Sequence, residues 1–109
     1  MTIGVYTLEL HLPLSRSLKD KRQVFRRLKD RLRARYNVSI AESAEHAALW
    51  QRGGLTVVSV AQSREALVRL FEAIERDAEL GIPGQIVERN SEFFDARDSG
   101  DDRATEQGS

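Results

Sequence analysis

The sequence predicts an α+β sandwich, in which a four-stranded antiparallel sheet carries two helices on one face. Three observations lead to this fold class. Four segments have the apolar patterning of strands, and two have apolar residues at helical spacing. The six segments follow in the order strand, helix, strand, strand, helix, strand. With right-handed crossovers, two such βαβ halves form a ferredoxin-like βαββαβ sandwich.

The first strand is predicted over residues 2–12, where the side chains alternate in character with a period of two. One face carries the large apolar residues Tyr6, Leu8, Leu10 and Leu12. The other face carries Ile3, Val5, Thr7, Glu9 and His11. Pro13 ends the strand, because proline has no amide hydrogen to donate to a sheet.

A helix of about five turns is predicted after Ser17, which can cap its first turn with Asp20 as a capping-box-like partner. Its core stripe consists of Leu18, Phe25, Leu28, Leu32 and Tyr36, with Val24 at the edge. Lys21 also falls on this stripe. We expect its stem to pack while its ammonium reaches solvent past the first turn. The alternatives are a salt bridge to the sheet or an anion shared with the helix N-terminus.

The second strand is predicted over Asn37–Ser43, and the segment AEHAAL after it is interpreted as a connection. The third strand lies within Trp50–Gln62 and is regular from Leu55 onward. Gly53 and Gly54 are expected to interrupt it as a bulge, bend or turn.

The second helix is predicted to begin after Ser63, with Glu65 in its first turn. Its core stripe consists of Leu67, Leu70, Phe71, Ile74 and Ala78. Gly81 is expected to follow the helix, with Pro83 beyond it. The last strand, residues 84–94, has a polar middle that indicates a sheet edge.

The 109 residues favour one domain, over residues 1–95. Residues 96–109 hold no large apolar side chain, so we predict a disordered acidic and polar tail. The chain has no cysteine, which excludes disulfides and thiolate metal sites. We find no apolar run long enough for a membrane span and no signal-peptide pattern, so a cytoplasmic location is expected.

Positive charge is concentrated in the first helix. Ten of the seventeen lysines and arginines lie between Arg16 and Arg35 against two acids, a net charge of +8 in a neutral chain. Like charges four residues apart repel instead of pairing. Such a stripe is typical of phosphate binding, although a solvated helix face is the simpler alternative. The predicted phosphate contacts are Arg16, Lys19, Arg22, Arg26, Arg27 and Arg33.

The open sheet face is not expected to read bases, because its central strands offer no aromatic side chain for stacking. Binding should therefore be directed at the backbone of a nucleic acid. Trp50 has two interpretations: it covers the end of the core, or it anchors an interface with Arg52 at the rim.

No catalytic residue, metal site or cofactor is predicted. His11 and His46 lack metal-ligand spacing, and the sequence contains neither a nucleophile elbow nor a phosphate-binding glycine loop. Glu9 and His11 could form an acid–base pair on the open face. Two polar residues alternating on an exposed strand are more often only solvated, so we expect a protein that is not an enzyme.

Three separated blocks of the sequence resemble the YlxP-like family, a small bacterial family of unknown function. They are HLP.SRSLKDKR with Leu14 at the dot, RLRARYNVSIAE, and LWQR, in that order. The resemblance covers roughly residues 3–94. It implies a ferredoxin-like fold and no established enzyme activity. Genes of this family typically lie beside translation and ribosome-maturation genes, which implies a ribosome-binding-factor-like role.

Together these observations predict a small non-enzymatic cytoplasmic protein. It would bind ribosomal or other structured RNA, or a ribosomal subunit, through its basic helix. The alternative is a homo-oligomeric interaction or regulatory module, such as a homodimer. In that case the open sheet face or a strand edge meets a second copy, and no nucleic acid is bound.

Overall fold

The computed structural model describes residues 1–81 and 84–96. The elements are β1 (Thr2–His11), α1 (Leu18–Arg35), β2 (Ser39–Glu42), β3 (Arg52–Ala61), α2 (Arg64–Gly81) and β4 (Gln85–Asp95). The strands form one antiparallel sheet in the order β2-β3-β1-β4. This arrangement confirms the predicted α+β, ferredoxin-like fold. Neither described helix is long and apolar enough to cross a membrane.

The predicted boundary between domain and tail falls at the limit of the described residues. The amide of Ala96 donates a hydrogen bond to the carbonyl of Met1 at 2.9 Å. The predicted disorder beyond it concerns residues 97–109, which lie outside the described residues.

The core lies between the sheet and the two helices, as the apolar patterns predicted. Buried residues of β1 alternate with partly exposed ones along the whole strand. The predicted helix stripes face the sheet through Phe25, Leu28 and Leu32 of α1 and Leu67, Phe71, Ile74 and Ala78 of α2. Phe71 stacks on Tyr6 with ring centroids 4.8 Å apart. The periodicity therefore predicted the rotation of both helices correctly.

Side chains cap both helices at the expected positions. The Ser17 hydroxyl accepts from the amide of Asp20 at 3.1 Å, and the Ser63 hydroxyl accepts from the amide of Ala66 at 3.2 Å. The Asp20 carboxylate accepts from the amide of Arg16 at 2.9 Å, one residue before the cap. The reciprocal bond therefore ties the preceding loop to the first turn.

The expected interruption of β3 at Gly53 and Gly54 is wrong. Both residues pair regularly, Gly53 with Leu10 and Gly54 with Glu9. Glycine is needed at position 53 because the Phe25 ring of α1 packs directly on the strand: a Cβ there would lie 2.3 Å from Cε2 of Phe25. The sheet's irregularity lies in β4, where the register with β1 shifts between Glu9 and Leu10.

The uncovered face of the sheet changes character along its length. At one end Ile3 pairs with Val60 and Phe94, which are 47% and 52% exposed. At the other end Glu9 lies opposite Glu88 of β4, with Arg52 close to Glu9. The open face therefore has an apolar end and a charged end.

Replacing Gly53 with alanine should destabilise the fold, because the new methyl group would overlap the Phe25 ring. Overpacking of this kind costs about 1–3 kcal/mol. The matched control is Gly81→Ala, where a Cβ would lie 3.4 Å from the nearest atom, Cδ of Arg31. Chemical denaturation of both variants measures the difference. Equal stability of the two variants would contradict the packing account of β3.

Candidate nucleic-acid interface

The cations that the sequence predicted to contact phosphate lie on the outward side of α1, except Arg16, which lies two residues before the helix. All six predicted residues are exposed: Arg16, Lys19, Arg22, Arg26, Arg27 and Arg33. Arg33 differs from the others because its Nη2 donates to the carbonyl of Ile40 at 3.0 Å. Within residues 1–81 and 84–96, the other five form no salt bridge. We call Arg16, Lys19, Arg22, Arg26 and Arg27 the basic face.

The remaining charged donors of α1 hold the helix against its neighbours. Lys29 forms a salt bridge with Glu42 of β2 at 2.6 Å. Arg31 and Arg35 both reach Asp77 of α2, at 3.4 Å and 3.1 Å. Lys29, Arg31 and Arg35 therefore fasten the helix to β2 and α2, whereas the cations of the basic face point to solvent.

Asp77 is the charged centre of the contact between the helices. It is only 7% exposed and accepts hydrogen bonds from Tyr36 at 2.7 Å and from Arg31 and Arg35. Burial alone would raise the pKa of Asp77, but the Tyr36 hydrogen bond and both arginine charges lower it below its ordinary value. The sequence analysis missed this residue. In the sequence, Asp77 could have been recognised as an acidic residue on the apolar side of α2, next to Ala78 and three residues after Ile74.

Lys21 is buried, with 6% of its surface exposed. Its Nζ donates to the carbonyls of His46 and Leu49 at 2.8 Å and 2.7 Å. The expectation that its ammonium reaches solvent is wrong, because the connection between β2 and β3 folds over it. Burial lowers the pKa of Lys21, and the charge of Glu42 opposes that shift. The lysine thus fastens the connection to the N-terminal half of α1.

The connection, residues 43–51, places Trp50 at the surface. Trp50 is 51% exposed and lies outside the core cluster, so the interpretation that it covers the core is wrong. The next residue, Gln51, is fixed: its Nε2 donates to the carbonyls of Pro13 and Ser15, at 3.3 Å and 3.2 Å. Trp50 is thus held between two anchored residues.

Arg52 lies on the open sheet face, opposite His11 of β1. Its guanidinium binds the Glu9 carboxylate, and its Nε is buried with no hydrogen-bond partner in the described residues. His46 approaches the same carboxylate, with its Nε2 3.1 Å from Oε2 of Glu9. The acid–base pair considered from the sequence, Glu9 with His11, is therefore replaced by contacts of Glu9 with Arg52 and His46.

Glu9 and His46 border a cleft of about 390 Å³ on the charged end of the open face. Its polar lining is Thr7, Glu9, Ser43, Glu45, His46, Glu88, Arg89 and Asn90. The Arg52 hydrogen bond is the main cause of the lowered pKa of Glu9. A carboxylate that already binds a guanidinium is a poor proton acceptor. Within the described residues, no group of three or more His, Cys, Asp or Glu is placed to hold a metal ion.

His46 could not have been found from its local sequence. Its backbone lies in the left-handed region, with φ of 64°, which is uncommon for residues other than glycine. The ring meets Glu9 across the sheet, far away in the chain. The tertiary fold of the connection, which Lys21 and Gln51 anchor, brings the two side chains together.

The sequence matches the model of a known protein family. The family described as "Protein of unknown function (DUF503)" matches residues 3–90, about four-fifths of the chain. The matched region contains α1, the connection and the cleft. No curated protein matches the sequence.

Asp77→Asn should destabilise the protein by about 1–3 kcal/mol at neutral pH, because the arginines lose their anionic partner. The pKa of Asp77 is lower in the folded protein than the unfolded value of about 3.9. Its contribution is therefore complete above the unfolded value and is lost as pH falls through the folded value. The stability difference between parent and variant should shrink in acid.

Denaturation curves of both proteins across the acid range measure this effect. Glu79→Gln on the exposed side of α2 is the control and should change stability little at any pH. A constant difference between parent and Asp77→Asn down to acid pH would contradict the role of the Asp77 charge.

Proposed function

We propose an RNA-binding function for this chain, which belongs to the DUF503 family of proteins of unknown function. The ligand is ribosomal or another structured RNA, and its phosphates contact the basic face. Arg33 is a weaker contributor, because its guanidinium already donates to the carbonyl of Ile40. The protein would act in the cytoplasm, in translation or ribosome maturation.

One observation carries this proposal: some cations in and just before α1 pair with acids of neighbouring elements, whereas others have no acid partner within the described residues. Lys29, Arg31 and Arg35 lie against acids of β2 and α2. The five residues of the basic face have no acid partner within the described residues. Charges that served only to orient the helix would all be paired. A row of one sign instead raises the local potential and favours a polyanion, whose binding releases counterions.

The exposed side of α2 offers a contrast within the same fold. Its charges are mixed, since Arg64, Arg69 and Arg76 alternate with Glu65, Glu72 and Glu79. A mixed surface of this kind is typical of a solvated helix face. The difference between the helices supports a specific role for α1.

We expect the bound RNA to be recognised mainly through its backbone. The central strands β1 and β3 present pairs such as Val5 with Val58 and Thr7 with Thr56 on the open face. These side chains cannot stack on bases as the aromatic residues of an RNA-recognition sheet do. Contacts with phosphates fix position and carry little sequence information.

Two further considerations support the proposal. The resemblance of three sequence blocks to the YlxP-like family favours ribosomal RNA as the polyanion. A non-enzymatic role fits the cleft, where the Glu9 carboxylate is occupied by Arg52 and His46. The proposed protein therefore binds and does not turn over a substrate.

The test compares two variants with equal loss of charge. Arg22→Gln with Arg26→Gln removes two charges from the basic face, and Arg69→Gln with Arg76→Gln removes two from α2. The first variant should bind structured RNA more weakly. Its slope of log K against log salt should fall by about 0.7–0.9 for each lost phosphate contact. The second should keep the parent slope.

Fluorescence anisotropy of labelled RNA across a salt series gives these slopes. Two results would overturn the proposal. One is the absence of RNA binding by the parent protein at about 50 mM salt, where electrostatic binding is strong. The other is an equal effect of the two variants, which would indicate a dependence on net charge alone.

A second candidate function is self-association through the apolar end of the open face. The observation that favours it is the exposure of Val60 and Phe94 beside Ile3 on an uncovered sheet. Large exposed apolar side chains that lie together often mark a protein interface. This candidate requires no nucleic acid.

Under the second candidate, the parent protein should sediment as a dimer in the absence of RNA. Val60→Lys with Phe94→Lys should convert it to a monomer, because two desolvated ammonium groups cannot be accommodated at the interface. Both residues are exposed, so the fold should survive. Sedimentation of the parent as a monomer at every concentration would rule this candidate out.

A further inference from the structure

Trp50 is the single tryptophan of the chain. It is 51% exposed, its neighbour Leu49 is 49% exposed, and neither belongs to the core cluster. Within the described residues, the indole N–H of Trp50 makes no hydrogen bond. Burying such a large aromatic surface is strongly favourable, so an exposed tryptophan is a candidate contact for a ligand.

The backbone on both sides of Trp50 is anchored. The carbonyl of Leu49 accepts from Nζ of Lys21 at 2.7 Å, and its amide donates to the carbonyl of His46 at 3.0 Å. The carbonyl of Gln51 accepts from the amide of Leu12 at 2.9 Å. A residue held in this way loses little conformational freedom when a ligand binds.

The same anchors tie the segment around Trp50 to Lys21 of α1 and to Ser15 before the helix. Lys21 is followed directly by Arg22, and Ser15, which receives a hydrogen bond from Gln51, is followed directly by Arg16. Lys21, Arg22 and Ala47 also line one small pocket between α1 and the connection. The backbone that carries the indole is thus tied to residues next in sequence to Arg16 and Arg22, two members of the basic face.

We propose that Trp50 is a stacking platform for an unpaired RNA base, while the adjoining phosphates contact the basic face. This inference rests on the proposed RNA-binding function and names its substrate class, an RNA with an unpaired segment. An aromatic plane beside a basic surface is the combination that binds single-stranded nucleic acid. Neighbouring positive charge favours a nucleotide over an apolar peptide as the occupant.

Stacking on Trp50 would let the protein distinguish unpaired RNA from duplex, although the central strands carry no aromatic side chain on the open face. The base would then be bound at the connection between β2 and β3 and not on the open sheet face. Bases in a duplex are stacked on one another and cannot reach an indole, whereas loops, bulges and ends can.

The test uses the intrinsic fluorescence of the parent protein, since every tryptophan signal comes from Trp50. Addition of a single-stranded RNA oligonucleotide at low salt should quench this fluorescence. A duplex of the same sequence should bind through the basic face with little quenching. Anisotropy of labelled oligonucleotides gives the affinities in parallel.

Trp50→Ala should weaken binding of the single strand about 5- to 150-fold, the effect of losing one stacked base, and leave duplex binding unchanged. Trp50→Phe should restore part of the affinity. Leu80→Ala, at another exposed apolar position, is the control and should have no effect. Thermal unfolding of each variant checks that the fold is intact.

Each other outcome is decisive. RNA binding by the basic face without quenching, with Trp50→Ala at parental affinity, would overturn the stacking proposal and leave the proposed function standing. A change of oligomeric state in Trp50→Ala, with RNA affinity unaltered, would assign Trp50 to a protein interface instead. Failure of the parent to bind either RNA would overturn both proposals.

Discussion

The rotation of α1 about its own axis is the constraint on which the rest of the structure depends. Phe25, Leu28 and Leu32 fix that rotation by packing on the sheet. Two buried charged groups, one near each end of the helix, also hold α1 in this orientation. Lys21 binds carbonyls of the connection, and Asp77 receives the arginines of the last turns. Once the helix is held in this way, the unpaired cations of the basic face must point to solvent.

This constraint joins features that are distant in the sequence. The hydrogen bonds from Lys21 hold the connection against α1. The connection in turn places His46 next to Glu9 and carries the exposed Trp50. A buried ammonium therefore helps to anchor the segment that carries both His46 and Trp50. Its three donors suit this role, because a lysine can serve several carbonyls of an irregular segment at once.

The sequence was sufficient for the element order, the helix faces and the exposed basic residues, because these follow from local periodicity. It was insufficient wherever a partner comes from elsewhere in the chain. Gly53 and Gly54 suggested a break, yet Gly53 serves the packing of Phe25. Lys21 and Asp77 were visible as charges on apolar stripes, but their partners lie in segments whose approach only the tertiary fold determines. The pairing of Glu9 with His46 left no trace in local sequence.

The central claim is that the basic face binds RNA phosphate, and co-sedimentation with purified ribosomal subunits tests it most directly. The account predicts that the protein sediments with a subunit at about 50 mM salt and is released as salt rises. For five phosphate contacts, the slope of log K against log salt should be roughly −4. No co-sedimentation at low salt, or binding that does not weaken as salt increases, would contradict the account.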